Sequence, residues 1–315
     1  TVTLQDQSAE RLAPAMKRAA DLFKRRLRDK LLIRDAADRL IPDVAGDGVR
    51  RADVVIEAIF ENLQAKRELF ARVEAAAKSG AILASNTSSL KLADIGANFR
   101  DPSRLVGIHF FNPVPQMQLV EIVKGANTDE ATAKRAAAFV RQIDKLPLPV
   151  KDSPGFLVNR VLGPYIDQAL RLVDEGVAPE TLDAAATAFG MPMGPIELAD
   201  TVGLDICMAV GRELGGEHAA PPKKLAELIA AGHLGRKSGR GFYLWQNGKA
   251  RKSASSPPEP GLSDKLLAPY LREAKAVVAE GIVADADLAD AGLIFGTGFA
   301  PFRGGPLHYL ASRGS

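Results

Sequence analysis

A histidine and a glutamate twelve positions apart, His109 and Glu121, are the residues of this chain best suited to move a proton. The histidine closes an apolar run, Gly107-Ile108-His109-Phe110-Phe111, and an Asn112-Pro113-Val114-Pro115 turn follows it. The glutamate lies within the next apolar run, Leu119-Val120-Glu121-Ile122-Val123. An imidazole titrates near neutrality, and a carboxylate that orients it makes a general base for a hydroxyl proton. The chain has only four histidines, so His109 is not drawn from a His-rich surface. A lone histidine beside phenylalanines is also a common core residue, and the flanking motifs must decide between the two. His218, His233 and His308 have no carboxylate or cysteine at ligand spacing, which predicts no metal site. No Gly-x-Ser-x-Gly setting is present, which argues against a serine nucleophile.

Strands must carry these two residues. Thr1-Val2-Thr3-Leu4-Gln5-Asp6 alternates like a strand and ends on a carboxylate, and Ser8 is placed to cap a helix over residues 8–30. Residues 53–60 read as a buried strand and 63–78 as an amphipathic helix; 81–84 and 105–108 are further short strands. Strands alternating with helices predict an α/β fold, a parallel sheet with helices on both faces. Leu146-Pro147-Leu148-Pro149-Val150 reads as an edge strand, where proline is tolerated. Beyond Lys151 the pattern turns helical. Ser153-Pro154 opens a helix to Gly176, and further helices are expected over 179–189, 195–214 and 223–231. A basic glycine-rich loop spans 235–243, and 246–261 is rich in Lys, Ser and Pro like a linker. Residues 263–281 and 284–294 form another helical piece that ends in a Gly/Pro/Phe-rich turn. The expected division is 1–151, 152–246, a linker at 247–262, and 263–315.

Composition is that of an ordinary soluble globular protein, long enough for two or three domains. The single cysteine, Cys207, excludes an internal disulfide and predicts a packed thiol in a reducing, cytoplasmic or matrix compartment. No apolar run approaches the ~18 residues needed to cross a bilayer. A net charge of +3 is too small to imply nucleic acid. Between Arg11 and Arg34, however, nine Lys or Arg stand against Asp21 and Asp29, which suits either a solvated helix face or a landing site for a polyphosphate ligand such as coenzyme A.

Several ordered motifs together resemble the L-3-hydroxyacyl-CoA dehydrogenases. They are Glu57-Ala58 through Glu61-Asn62, Ser85-Asn86-Thr87-Ser88-Ser89-Leu90, His109-Phe110-Phe111-Asn112-Pro113, Asp152-Ser153-Pro154-Gly155-Phe156, Val158-Asn159-Arg160, Gly190-Met191-Pro192-Met193-Gly194-Pro195 and the 235–243 loop. The resemblance implies a Rossmann-type NAD-binding domain followed by all-α, 6-phosphogluconate-dehydrogenase-like helical domains. It implies NAD-dependent oxidation of an L-3-hydroxyacyl-CoA in fatty-acid beta-oxidation, with His109 as base, Glu121 as its orienting acid, and Ser88 and Asn159 as polar partners of the substrate. NAD contacts carry over to Ile59, Phe60, Glu61, Lys66, Ser88, Asn112 and Lys237. Independently, Asp6 at the end of a second strand suits the ribose hydroxyls of NAD and disfavours a 2′-phosphate.

Residues from 263 onward look like the extra helical repeat of multifunctional fatty-acid oxidation subunits, so an enoyl-CoA hydratase portion upstream, a thiolase partner and a homodimer are the implied associations. One departure is plain. A dinucleotide fold opens with a strand and Gly-x-Gly-x-x-Gly, whose amides cradle the pyrophosphate. This chain starts at what reads as the second strand, and Gly296-Thr297-Gly298 follows a helix rather than a strand. The expectation is weak NAD binding by this stretch as written. Leu22 and Asp29 stand where the family's coenzyme A contacts fall, leaving Lys24, Arg26 or Lys30 to substitute. Two rival readings are a non-catalytic assembly module and a dehydrogenase of small free hydroxy acids.

Overall fold

The structure is a computed structural model that describes residues 1–215 and 220–314, so His218 lies outside the described residues. The chain opens with β1 (Val2–Gln5), α1 (Ala9–Arg26), α2 (Lys30–Asp38) and β2 (Leu40–Asp43), and β1 and β2 pair in parallel as a two-stranded sheet. A five-stranded sheet follows, with β3 (Val54–Glu57), β4 (Ile82–Ser85), β5 (Leu105–Phe110), β6 (Leu119–Lys124) and β7 (Leu146–Lys151) adjacent in that order. Helices α3 (Leu63–Ala76), α4 (Leu92–Ile95) and α5 (Glu130–Gln142) connect its strands. All neighbours in it are parallel except β5 and β6. Residues 111–118 between those two are too few for the crossover that a parallel pair needs.

Alternation along each strand sorts the side chains between two apolar layers. Val106, Ile108, Val120 and Ile122 pack with Ala136 and Val140 of α5. Leu105, Leu119, Val123, Leu148 and Val150 join the larger core that continues into the helical half. By parity His109 and Glu121 share that second face, toward the helices.

The helical half comprises α6 (Val158–Asp174), α7 (Pro179–Phe189), α8 (Pro195–Val202), α9 (Leu204–Gly215), α10 (Lys223–Ala230), a hairpin of β8 (Leu244–Gln246) and β9 (Lys249–Arg251), then α11 (Leu262–Ala279), α12 (Ala286–Thr297) and α13 (Pro306–Ser312). One arrangement occurs twice. Pro164-Tyr165 of α6 and Pro269-Tyr270 of α11 meet across the two helices, the tyrosine rings edge to face at 5.9 Å. Asp183 of α7 accepts the Ile196 amide at the start of α8 (2.9 Å), and Asp290 of α12 accepts the Leu307 and His308 amides at the start of α13 (2.7 and 2.9 Å).

Several expected elements change. The helix expected over 8–30 breaks at Leu27, whose backbone is extended, and α2 restarts where Asp29 accepts the Leu31 amide. Ser8 makes no side-chain cap bond. Strand β2, with its internal Pro42, was not expected, and β3 is only partly buried until Glu57 because it borders its sheet. The helix expected from Ser153 starts five residues later, because Gly155 (φ +72°) and Phe156 (φ +51°) are left-handed. Asn159 therefore stands in the first turn of α6. Gly203 (φ +111°) divides the expected 195–214 helix into α8 and α9. The supposed linker begins with a hairpin turned at Asn247-Gly248, a dipeptide that favours such turns. Helix α13 was not expected. β7 does lie at the sheet edge. No described helix is long and apolar enough to cross a membrane. Burial pushes the Cys207 thiol up to about 12, consistent with a packing role.

The two tyrosines differ in one respect. The Tyr270 hydroxyl pairs with Thr297 at 2.8 Å, whereas the buried Tyr165 hydroxyl has no partner among the described residues. Tyr165→Phe should leave stability unchanged or raise it, and Tyr270→Phe should lower it by about 1 kcal/mol, as read from urea unfolding midpoints.

Candidate active site

In the antiparallel register of β5 and β6, His109 stands directly opposite Glu121. Opposed residues on one face are close enough for their side chains to meet. Nδ1 of His109 lies 2.7 Å from Oε2 of Glu121. The glutamate side chain is fully buried and the imidazole 7% exposed. A buried carboxylate must be hydrogen-bonded. Oε1 of Glu121 accepts the backbone N–H groups of Leu157 and Val158, each at 3.0 Å. These are orphan donors at the start of α6, whose N-cap residue Leu157 offers no side-chain acceptor. The left-handed turn at Gly155-Phe156 leads directly into both amides. Glu121 thus caps a helix with one oxygen and holds a histidine with the other.

That arrangement assigns the tautomer. The carboxylate only accepts, so Nδ1 donates to it and Nε2 keeps its lone pair. The rings of Phe111 and Phe156 pack edge-on against the imidazole at 4.6 and 5.5 Å, fixing its plane. The result is an imidazole oriented by a buried carboxylate, an arrangement suited to a general base.

A second polar cluster sits where β3 and β4 end. Lys66 of α3 is buried and ion-pairs with Glu57 (2.7 Å) and Glu61 (3.2 Å). Glu57 also accepts the Ile59 amide and the Ser85 hydroxyl, both at 2.7 Å. Glu61 accepts the Thr87 hydroxyl, the Ser89 hydroxyl (3.0 Å) and the backbone amides of Ser88 (3.1 Å) and Ser89 (3.2 Å). Burial alone would raise the Glu61 carboxyl, but Thr87, Lys66 and Ser89 together hold it below its ordinary value. Asn86 donates no side-chain order to this cluster; its carbonyl oxygen instead accepts the Phe110 amide at 2.8 Å, joining the Ser88 loop to the strand of His109.

The expected residues are therefore distributed unevenly. His109 and Glu121 are in contact, and Asn159 directly follows the Val158 amide that holds Glu121. Glu61, Lys66 and Ser88 form one network. Asn112 lies two residues past β5. Ile59 and Phe60, just beyond β3, are exposed (38% and 67%). Asp6 follows β1 and accepts the Gln7 amide with one oxygen. Lys237 is ion-paired with Asp205 of α9, and no contact joins it to the histidine pair. Sequence reasoning missed Glu57, Asn86 and the two amides. An ionisable residue at the end of an apolar strand was the available signal for Glu57; nothing local marked the amides.

Residues 1–153 match the family model for the 3-hydroxyacyl-CoA dehydrogenase NAD binding domain, and residues 155–245 match the model for the C-terminal domain. The chain belongs to the 3-hydroxyacyl-CoA dehydrogenase family. It resembles 3-hydroxybutyryl-CoA dehydrogenase from Escherichia coli K12 over 99% of this chain and 86% of that one, at 26% identity and TM-score 0.87. (S)-3-Hydroxybutyryl-CoA dehydrogenase from Ralstonia eutropha is 34% identical over 78% of this chain and 91% of that one, TM-score 0.71. The dehydrogenase part of multifunctional enzyme 1 from C. elegans is 29% identical over 94% of this chain and 72% of that one, TM-score 0.65. This family member is an NAD-dependent 3-hydroxyacyl-CoA dehydrogenase with a Rossmann-like domain followed by a helical one.

The residues present fit the nucleoside parts of that cofactor, while the Gly-x-Gly-x-x-Gly turn that would cradle its pyrophosphate is not among them. Parallel strands β3, β4 and β5 gather their C-terminal ends, the usual place for a dinucleotide. Exposed Ile59 and Phe60 would offer a bound ring an apolar surface, and Asp6, which accepts the Gln7 amide with one oxygen, would have the other for ribose hydroxyls.

Lys66 neutralises two carboxylates, one of them as buried as itself. Removing one member of a buried pair leaves an uncompensated charge. Lys66→Met should cost about 3–5 kcal/mol in urea unfolding, and adding Glu57→Gln should restore part of that loss.

Proposed function

We propose that this chain oxidises L-3-hydroxyacyl-CoA to 3-ketoacyl-CoA in fatty-acid beta-oxidation, with His109 as general base. The observation that carries the reading is the buried His109–Glu121 pair, 2.7 Å apart and anchored by two amides. When bound, NAD supplies the acceptor for the hydride that leaves the alcohol carbon. Nε2 of His109 takes the hydroxyl proton as the carbon–oxygen double bond forms. Glu121 keeps the ring in its Nδ1-protonated tautomer and offsets the imidazolium charge. Ser88 and Asn159 are the polar partners of the reacting oxygen and the acyl carbonyl. Ser88 is held through its amide by Glu61, and Asn159 by its place in the first turn of α6. Asp6, Ile59, Phe60, Glu61, Lys66, Ser88, Asn112 and Lys237 form the proposed NAD contacts.

The basic stretch on α1 and α2 is the proposed landing site for the coenzyme A phosphates. Lys24, Arg26 and Lys30 are exposed, and Arg26 donates to the carbonyl of Pro115 at 3.2 Å, in the loop just after His109. A thiolase partner and a hydratase portion remain proposals that rest on the multifunctional resemblance.

The test follows NADH oxidation with acetoacetyl-CoA in the full chain. His109→Gln should lower kcat by roughly 10²–10⁴-fold with little change in KM. Glu121→Gln should also lose orders of magnitude in kcat, because the ring loses its orientation and counter-charge. Equal turnover in wild type and His109→Gln would remove the base. Lys24→Glu should raise KM for acetoacetyl-CoA several-fold at low salt, with the gap closing in high salt and kcat unchanged. An unchanged KM would move the phosphate site elsewhere.

A further inference from the structure

Residues 246–315 lie beyond both family matches, and the structure ties part of them to the proposed catalytic acid. Helix α12 packs on β6 and on the start of α6. Two of its residues are glycines four apart, Gly292 and Gly296, and so share one face. Glycine is a weaker helix former than alanine, so a pair on one packed face needs a reason. The reason is close approach. A Cβ on Gly292 would lie 2.6 Å from Cδ2 of Leu148 and 2.7 Å from Cδ2 of Leu157. A Cβ on Gly296 would lie 2.5 Å from Cγ2 of Val158 and 2.9 Å from Cδ2 of Leu119.

All four neighbours frame Glu121. Leu157 and Val158 donate the amides to its Oε1. Leu148 is its register partner on β7, and Leu119 precedes it by two on the same face of β6. We propose that α12 is a positioning element for the catalytic carboxylate: through Gly292 and Gly296 it seats against these residues and fixes the two amides on Glu121, and thereby the imidazole on its other oxygen. The segment outside the family matches is then part of the catalytic support. This inference rests on His109 and Glu121 acting as proposed above.

Single substitutions grade the displacement. Alanine at 296 must push Val158, whose branched side chain cannot swing away, whereas alanine at 292 meets only the flexible ends of two leucines. In the full chain, Gly296→Ala should lower kcat on the order of tenfold, leave KM for acyl-CoA within about twofold, and lower the unfolding midpoint while the protein stays folded under assay conditions. A carboxylate moved from the ring stabilises the imidazolium less, so the acid limb of kcat/KM for oxidation of 3-hydroxybutyryl-CoA should shift to lower pH. Gly292→Ala should show the same pattern more weakly. Adding Val158→Ala to Gly296→Ala should recover part of kcat. Ala291→Leu, on the exposed face of the same helix, should behave as wild type.

Wild-type kcat and acid limb in folded Gly296→Ala would overturn the proposal, as would an equal loss in Ala291→Leu. If Gly296→Ala does not fold, an unchanged kcat and acid limb in Gly292→Ala overturns it instead, and a shifted limb upholds it. The companion variant His109→Gln separates the two levels. Full turnover there removes the base, whereas an inactive His109→Gln beside a wild-type Gly296→Ala removes only the role of α12.

Discussion

A carboxylate buried without a cation beside it constrains everything around this site. Among the described residues no lysine or arginine pairs with Glu121; two backbone amides and an imidazole hold it. Unpaired, such a charge would take up a proton and cease to orient anything. Amide donors suit the role because they cannot titrate, and at the start of α6 they add the positive end of a helix dipole. The same requirement sets the chain path. A turn must bring the amides of Leu157 and Val158 to the strand that carries Glu121, and the left-handed Gly155-Phe156 pair lies in that turn.

Lys66 shows the opposite solution for a buried acid. Glu57 is neutralised by a cation, which would be unsuitable beside a base that must accept a proton, since a nearby positive charge disfavours the imidazolium. The two clusters are kept apart in chemistry and joined in geometry. Asn86 accepts the Phe110 amide, so the Ser88 loop and the histidine strand hold a fixed separation. One cluster orders the loop; the other orients the histidine.

Much of this was readable in the chain, and the parts that were not share a cause. His109 and Glu121 announced themselves because each is an ionisable residue interrupting an apolar run, and short apolar runs separated by a turn place such residues on paired strands. The resemblance added Ser88, Asn159, Glu61 and Lys66, none of which interrupts an apolar run as His109 and Glu121 do. Backbone contributions left no trace, because an amide donates regardless of its side chain. The start of α6 was misplaced for the same reason. Ser153-Pro154 has the composition of a helix start, but the left-handed residues after it and a distant acceptor moved the first turn to Val158. Local preference was overruled by a tertiary hydrogen bond. The Asn247-Gly248 hairpin, by contrast, was legible and was obscured by the Lys, Ser and Pro around it.

Across the chain, acids holding backbone amides recur with different second partners. Asp152 accepts the Leu92 amide at the start of α4. Asp183 accepts at the start of α8 while taking the Tyr243 hydroxyl and Lys252 on its other oxygen. Asp200 accepts the amides of Phe242 and Tyr243 and the Trp245 indole N–H, and Asp290 uses both oxygens on amides of α13. In each of these the acid ties two pieces of backbone together, and burial raises the carboxyls of Asp152, Asp200 and Asp290 above their ordinary value. Glu121 is the case in which a strand partner puts an imidazole on the free oxygen. The step from a fold-holding carboxylate to one that orients a histidine is then small. It requires one histidine in register, and an oxygen that the helix start leaves unused.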